Sequence, residues 1–262
     1  MPIFAPFSYL ANPIVPPAPA WDPSDFTNVQ YWWRADLGVT TTGTGVSQWR
    51  DQINNFDMIQ GTDGSRPSAT TSSNLNGADV LSFNGSSDYM YTSTTPAALS
   101  SSDATILAVW DMVSANNGAV MGVPTTLNGT RFWMDTLNGN YRIYGENIYS
   151  GGGSAYTVES PASTGANAMK MRYDASAGDG FVAQNTLTET TIGTAGDVNT
   201  TWRASSTVAV GALVSGIGGG VFLSRYVEYK LAEQVFVYGT PTTDEMNDWK
   251  TYVNTRYGTI IS

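Results

Sequence analysis

Leu231-Ala-Glu-Gln-Val-Phe-Val-Tyr238 runs straight into Gly239-Thr-Pro-Thr-Thr-Asp-Glu-Met-Asn-Asp-Trp-Lys-Thr-Tyr-Val-Asn-Thr-Arg-Tyr-Gly258. The first run alternates like a half-buried strand. The second has the marks of one isolated helix. Thr242 and Glu245 have the capping-box spacing. Met246, Trp249, Val253 and Tyr257 fall on one face. Gly258 stands where a helix ends. Earlier, Val80-Leu-Ser-Phe-Asn-Gly-Ser-Ser-Asp-Tyr-Met90 reads as strand, tight turn and strand, with Asn84-Gly85 supplying the positive φ. A chain of strands closed by one short helix directs attention to binding rather than catalysis.

Between these landmarks the signal is short strands with turn punctuation. Candidates are 29–34, 45–51, 79–84, 88–92, 104–112, 119–123, 130–135, 141–144, 168–173, 180–184, 207–213, 220–225 and 228–238. Strands without interleaved helices predict a two-sheet sandwich. Residues 103–111 are nearly continuous apolar sequence, expected to form a central strand buried on both faces. Tyr31, Trp32 and Trp33 cannot all face one core, because strand side chains alternate. At least one of them is expected under another segment, such as an N-terminal arm, or at an interface.

The chain has 262 residues, 41 % of them apolar, enough for one large all-β domain. Charged residues make up only 13 %, so the polar surface must be mostly Ser, Thr, Asn and Gly. Net charge is −10 and basic residues are scattered, which argues against nucleic acid and against an anionic membrane as partners. No run has the length of a transmembrane helix. Cysteine and histidine are both absent, which excludes disulfides, thiol nucleophiles, His-based triads and His-ligated zinc.

Residues 1–25 stand apart as an extended arm, with residues 26–262 forming the folded domain. Seven of the twelve prolines lie at positions 2, 6, 13, 16, 17, 19 and 23. Phe4, Phe7, Tyr9, Leu10 and Trp21 give the arm more apolar surface than a solvated tail needs. The arm docks either on a partner or back on its own domain. The N-terminus lacks a positively charged region, so a secretory signal is a poor reading; a protein working outside the cell is then expected to leave by lysis or as part of a particle.

Several of these segments resemble the concanavalin A-like lectin/glucanase superfamily, in its laminin-G-like jelly-roll branch. They are Tyr31-Trp-Trp-Arg-Ala-Asp-Leu-Gly38, Val46-Ser-Gln-Trp-Arg-Asp51, Arg66-Pro67, the Asp79–Tyr89 hairpin, and the closing strand and helix. The resemblance covers about residues 28–262. It implies an all-β, two-sheet antiparallel jelly-roll sandwich with one short C-terminal helix. It implies a binding or structural scaffold more often than one activity. The unsigned, cysteine-free, Pro-armed chain looks most like the phage virion members. The leading expectation is therefore a non-enzymatic virion structural protein on the outer surface of the particle. It would be a capsid decoration or a head or tail-fibre component, with other virion proteins as partners, the major capsid protein or tail components among them, and a homo-oligomer left open. The alternative is a carbohydrate-binding, lectin-like module for host-surface adsorption. The third is a glycoside hydrolase.

Hydrolysis would need two carboxylates across a sugar cleft. Glu228 and Glu233 are five apart, which puts them on opposite faces of a regular strand. Glu146 and Glu159 are isolated in sequence, so no catalytic residue is assigned. Asp63, Asp88, Asp174 and Asp179 fall in turns without the spacing of a calcium loop. No metal ligand is assigned, although a structural calcium fits relatives of this kind. Asp88 is equally a turn residue bonding local backbone. Arg34 and Asp36 are expected to form a structural pair. Trp133, Tyr141, Tyr144 and Tyr149 cluster around Asn138-Gly-Asn140 and are the candidate glycan-binding residues, against a plain reading as core.

Overall fold

A computed structural model describes residues 21–92, 103–114, 118–123, 131–137, 140–146, 158–161, 164–174, 179–192, 208–217, 220–224 and 226–262. In chain order the strands are β1 (Val29–Arg34), β2 (Val39–Thr42), β3 (Gly45–Trp49), β4 (Met58–Ile59), β5 (Ser68–Ser72), β6 (Ala78–Asn84) and β7 (Met90–Thr92). There follow β8 (Ala104–Met112), β9 (Gly118–Val123), β10 (Arg131–Leu137), β11 (Asn140–Glu146), β12 (Val158–Pro161) and β13 (Gly165–Asp174). The last are β14 (Asp179–Gln184), β15 (Thr190–Ile192), β16 (Ala209–Val210), β17 (Leu213–Ile217), β18 (Gly220–Ser224) and β19 (Glu228–Tyr238), before helix α1 (Thr243–Tyr257).

These strands make two antiparallel sheets, so the chain is an all-β sandwich with one helix near its C-terminus. An eight-stranded sheet runs β15-β14-β13-β8-β19-β6-β5, with β1 also paired to β19. A nine-stranded sheet runs β12-β11-β10-β9-β16-β7-β4-β3-β2. β17 and β18 form a separate hairpin.

Two apolar layers hold this together. Between the sheets lie Tyr31, Trp33, Trp49, Phe83, Trp110, Tyr229 and Phe236 with their aliphatic neighbours. On the far side of the eight-stranded sheet, Met246, Trp249, Tyr252, Val253 and Tyr257 of α1 cover Trp32, Leu107, Val109, Val235 and Val237. The eight-stranded sheet is thus buried on both faces where α1 lies. That is why all nine residues of β8 are buried, as its apolar sequence predicts. It also settles the Tyr31-Trp-Trp run. Tyr31 and Trp33 enter the sandwich core, whereas Trp32 points the other way and lies under α1.

The helix begins and ends where its sequence indicates. Thr242 and Glu245 cap each other reciprocally, and Gly258 ends the helix with φ of 89°. Glu245 also accepts the Thr27 amide at 2.7 Å, which ties the segment leading into β1 to the helix start. Residues 21–25 are part of this packing. Trp21 is half-buried and sets its ring edge-on against Phe26 and Tyr252, at 4.9 and 5.9 Å between centroids. Phe4, Phe7, Tyr9 and Leu10 lie outside the described residues.

One expectation about β19 is overturned. The strand is not regular: its register against β8 slips between Leu231 and Glu233, leaving Ala232 as an extra residue. Tyr229 and Leu231 face the sandwich core before the bulge, and Phe236 faces it after. Glu228 and Glu233 therefore share the α1 side of the sheet instead of opposite faces. Glu228 is exposed there and Glu233 is buried.

Candidate functional site

The outer face of the nine-stranded sheet carries an aromatic and polar surface. Met90 and Met58 point into the core, so their neighbours Tyr91 and Ile59 take the outer side. Tyr91 is half-buried and stacks on Tyr89, with ring centroids 6.0 Å apart and planes within 18°. Toward the β2 edge the same face presents Gln48, Ser47, Thr40 and Thr42. Asp57 holds the Gln48 amide at 2.6 Å, and the Thr42 and Ser47 hydroxyls bond each other at 3.0 Å.

Backbone register extends this face across the sheet. Gln48 is opposite Ile59, Ile59 opposite Tyr91, and Tyr91 opposite Ala209. Ala209 is opposite Gly122, Gly122 opposite Trp133, and Trp133 opposite Tyr144. Residues directly paired across strands share a face. Trp133 and Tyr144 therefore fall in one row with Tyr91, although more than forty positions separate Tyr91 from Trp133 in the sequence. Ala209, at 0 % exposure, closes the middle of the row to solvent. Tyr141 lies opposite Thr136, out of step with the row, and Tyr149 lies outside the described residues. The sequence cluster around the 138–140 turn is thus divided by register. Tyr91 and Tyr89 were missed, because only strand pairing reveals that they belong with Trp133.

Register also places carboxylates that looked isolated. Glu146 is opposite Arg131, while Arg142 stands between Asp135 on one side and Glu159 on the other.

A second constellation lies beneath α1. Glu233 is 0 % exposed and accepts hydrogen bonds from the Trp32 indole N–H, from the Tyr252 hydroxyl at 3.0 Å and from the Tyr257 hydroxyl. Behind those hydroxyls stand two guanidiniums. Arg34 donates to Tyr252 at 3.3 Å and Arg256 donates to Tyr257 at 3.2 Å. Both also pair with Asp36, Arg34 at 2.6 Å, which confirms the expected Arg34–Asp36 pair. Burial pushes the Glu233 carboxyl up to about 7, against the opposing pull of Tyr257, Trp32, Arg34 and Tyr252. A raised carboxyl in a cleft would suggest catalysis. This one has no opening to substrate, and its donors come from β1 and α1, which it joins to its own strand β19. Its chemistry is that of a latch between β1, β19 and α1.

Other acids also serve the fold. Asp51 accepts the backbone amides of Trp32, Ile53, Asn54 and Phe56, which fixes the loop after β3. Asp88 accepts the Asn84 amide at 3.1 Å, and burial raises its carboxyl. Asp63 pairs with Arg66 at 2.6 Å and Asp174 with Arg172 at 3.6 Å, while Asp179 is opposite Asp174 in register. Among the described residues no group of three or more acidic side chains is placed to hold a metal ion.

No family model matches the chain. No curated protein matches it either. Solved structures do. A heptameric SAP-like pentraxin from Limulus polyphemus superposes with a TM-score of 0.50 at 15 % identity, over 69 % of this chain and 86 % of that one. An arabinofuranosidase complexed with arabinofuranosyl-alpha-1,2-xylobiose gives 0.52 at 12 % identity, over 90 % of this chain and 60 % of that one. The botulinum neurotoxin serotype D binding domain gives 0.52 at 10 % identity, over 87 % of this chain and 51 % of that one. At these identities the likeness is one of fold alone: a two-sheet antiparallel β-sandwich.

Proposed function

We propose that the chain is a carbohydrate-binding, lectin-like module and that its sugar-contacting surface is the outer face of the nine-stranded sheet. The observation that carries this reading is the register row that aligns Trp133 and Tyr144 with Tyr91, itself stacked on Tyr89. Sugar rings stack on aromatic faces, and flanking polar side chains give orientation. Fold analogy supports it, since one structural neighbour is an arabinofuranosidase complexed with arabinofuranosyl-alpha-1,2-xylobiose and another is a neurotoxin's binding domain. A glycan array probed with the full chain should give reproducible binding that is lost in Trp133→Ala with no change in melting temperature. Binding that persists in that variant would place the site elsewhere. Release of reducing ends from a bound polysaccharide would overturn the non-enzymatic reading.

A second reading puts the module on a phage particle, as a capsid decoration or head or tail-fibre component held by residues 1–25. Its support is the proline-rich, aromatic-studded sequence leading into Trp21, which is itself seated against α1. The two readings are compatible, because adsorption requires a sugar-binding surface fixed to a particle. Absence of the chain from purified particles, by mass spectrometry, would refute the second without touching the first.

A further inference from the structure

We propose that the free edge of β5 pairs with the same edge of a second copy of this chain, joining two eight-stranded sheets across a two-fold axis. β5 ends its sheet and meets β6 in an unbroken register, from Ser68 opposite Ser82 to Ser72 opposite Ala78. Among the described residues, no backbone hydrogen bond outside that ladder reaches Ser68, Ala69, Thr70 or Thr71. Alternate residues of an edge strand turn their N–H and C=O groups outward, so this edge is an open template. Neither apolar layer covers it. Leu81, opposite Ala69, faces the sandwich core, and Val80, opposite Thr70, faces α1. Ala69 and Thr70 are exposed all the same.

The other described sheet ends carry features that keep strands apart. β2 is bulged between Thr40 and Thr41, β12 contains Glu159 and ends on Pro161, and β15 is only three residues long. β5 contains no charge, bulge or proline. Pro67 stands just before it, with its carbonyl bonded to the Val46 amide at 2.8 Å. The strand is also its own complement. A two-fold perpendicular to the sheet and centred on Thr70 sets Thr70 opposite Thr70, Ala69 opposite Thr71 and Ser68 opposite Ser72. Pairs of Thr and Ser favour each other across strands, and side chains this small let the backbones close. Local charge does not oppose the pairing. The one acid of β6, Asp79, is exposed opposite Thr71. At ~4.8 Å per strand its two copies stand at least about 14 Å apart, beyond the Debye length of about 8 Å in physiological salt. The net charge of −10 on each copy is a longer-ranged repulsion, so the association is weak and strengthens with salt. This axis leaves both α1 helices on one side of the joined sheet and both aromatic faces on the other. Under the sugar-binding reading, on which this consequence alone rests, two sites facing one way grip a glycan surface with avidity.

The test is sedimentation velocity of the full chain without sugar, from about 5 to 500 µM, the range in which so small a contact dissociates, at low and high salt. The protein should pass from monomer to dimer as concentration rises, at lower concentration in high salt. Thr70→Lys, which sets two ammonium groups opposite each other on the axis, should raise the dissociation constant about tenfold or more with no change in melting temperature. Thr70→Val, which keeps the branched side chain, should leave it unchanged. Hydrogen exchange of the wild type should show amides within Ser68–Ser72 gaining protection as concentration rises, a result that stands even where the Lys variant folds poorly. A chain that stays monomeric throughout, a dimer indifferent to Thr70→Lys, or protection gained at β2 or α1 instead of β5 would overturn the proposal. Glycan binding that fails while the dimer forms would remove the sugar reading and leave the edge pairing standing.

Discussion

Replacing Glu233 by Gln should change how stability depends on pH, in a direction that intuition about hydrogen-bonded carboxylates would not suggest. In the folded chain burial raises this carboxyl to about 7, against about 4.3 for a free Glu. The folded state therefore keeps the proton over a range where the unfolded state has lost it. Stability from this group is fully present below the unfolded value and is lost as pH rises through about 7. A difference of somewhat under three pKa units corresponds to roughly 3 kcal/mol, as an order of magnitude. Gln carries no titrating proton, so the variant should lack this slope. It should also cost about 1 kcal/mol at low pH, because its NH2 group meets a site lined by the Trp32, Tyr252 and Tyr257 donors. The two stability curves should cross near pH 5, with Glu233→Gln well ahead near pH 8. Urea unfolding at fixed ionic strength, followed by tryptophan fluorescence, reads this directly. Asp88, also raised by burial, gives a background of the same sign in both proteins, so the difference between them isolates Glu233. Glu189 and Glu245, lowered by their donors, act in the acid range below the window. A variant that loses more at pH 8 than at pH 5 would refute the reasoning. It would mean that the three donors and two arginines hold Glu233 ionised.

Two further substitutions probe the packing on either side of the eight-stranded sheet. Trp249→Ala empties a site that is 1 % exposed between α1 and the sheet and should cost about 3–5 kcal/mol in urea unfolding; a loss under about 1 kcal/mol would place the ring outside the core. Gly211→Ala should cost about 2–4 kcal/mol, because the residue has φ of +86° and a Cβ there would sit 2.4 Å from the Phe83 ring and 2.7 Å from the Asp88 carbonyl oxygen; an unchanged melting temperature would show that the β16 end can shift to admit it.

Local signals carried the parts of the fold that one segment can specify. The α1 cap, its buried stripe and the doubly buried β8 each lie within one stretch of chain, so spacing alone revealed them. β2 and β5 left little trace, since Val-Thr-Thr-Thr and Ser-Ala-Thr-Thr-Ser at the sheet edges have no apolar alternation. The bulge at Ala232 left none, and a regular-strand reading put Glu233 on the wrong face. A glutamate inside so apolar a strand was the one available hint that something must receive it. The proposed sugar face was legible only by halves. Trp133 and Tyr144 stood near one turn, but Tyr91 joins them through pairings among β7, β16, β9 and β10, and long-range register is not written in any local pattern.

The layering gives the molecule a back and a front. Residues 21–25 and α1 lie together on the outside of the eight-stranded sheet, and the aromatic row lies on the outside of the other. A full sandwich core stands between them. Under the proposed sugar-binding reading, the front could be reshaped for a different sugar without rebuilding the packing of Trp21 and α1 behind it.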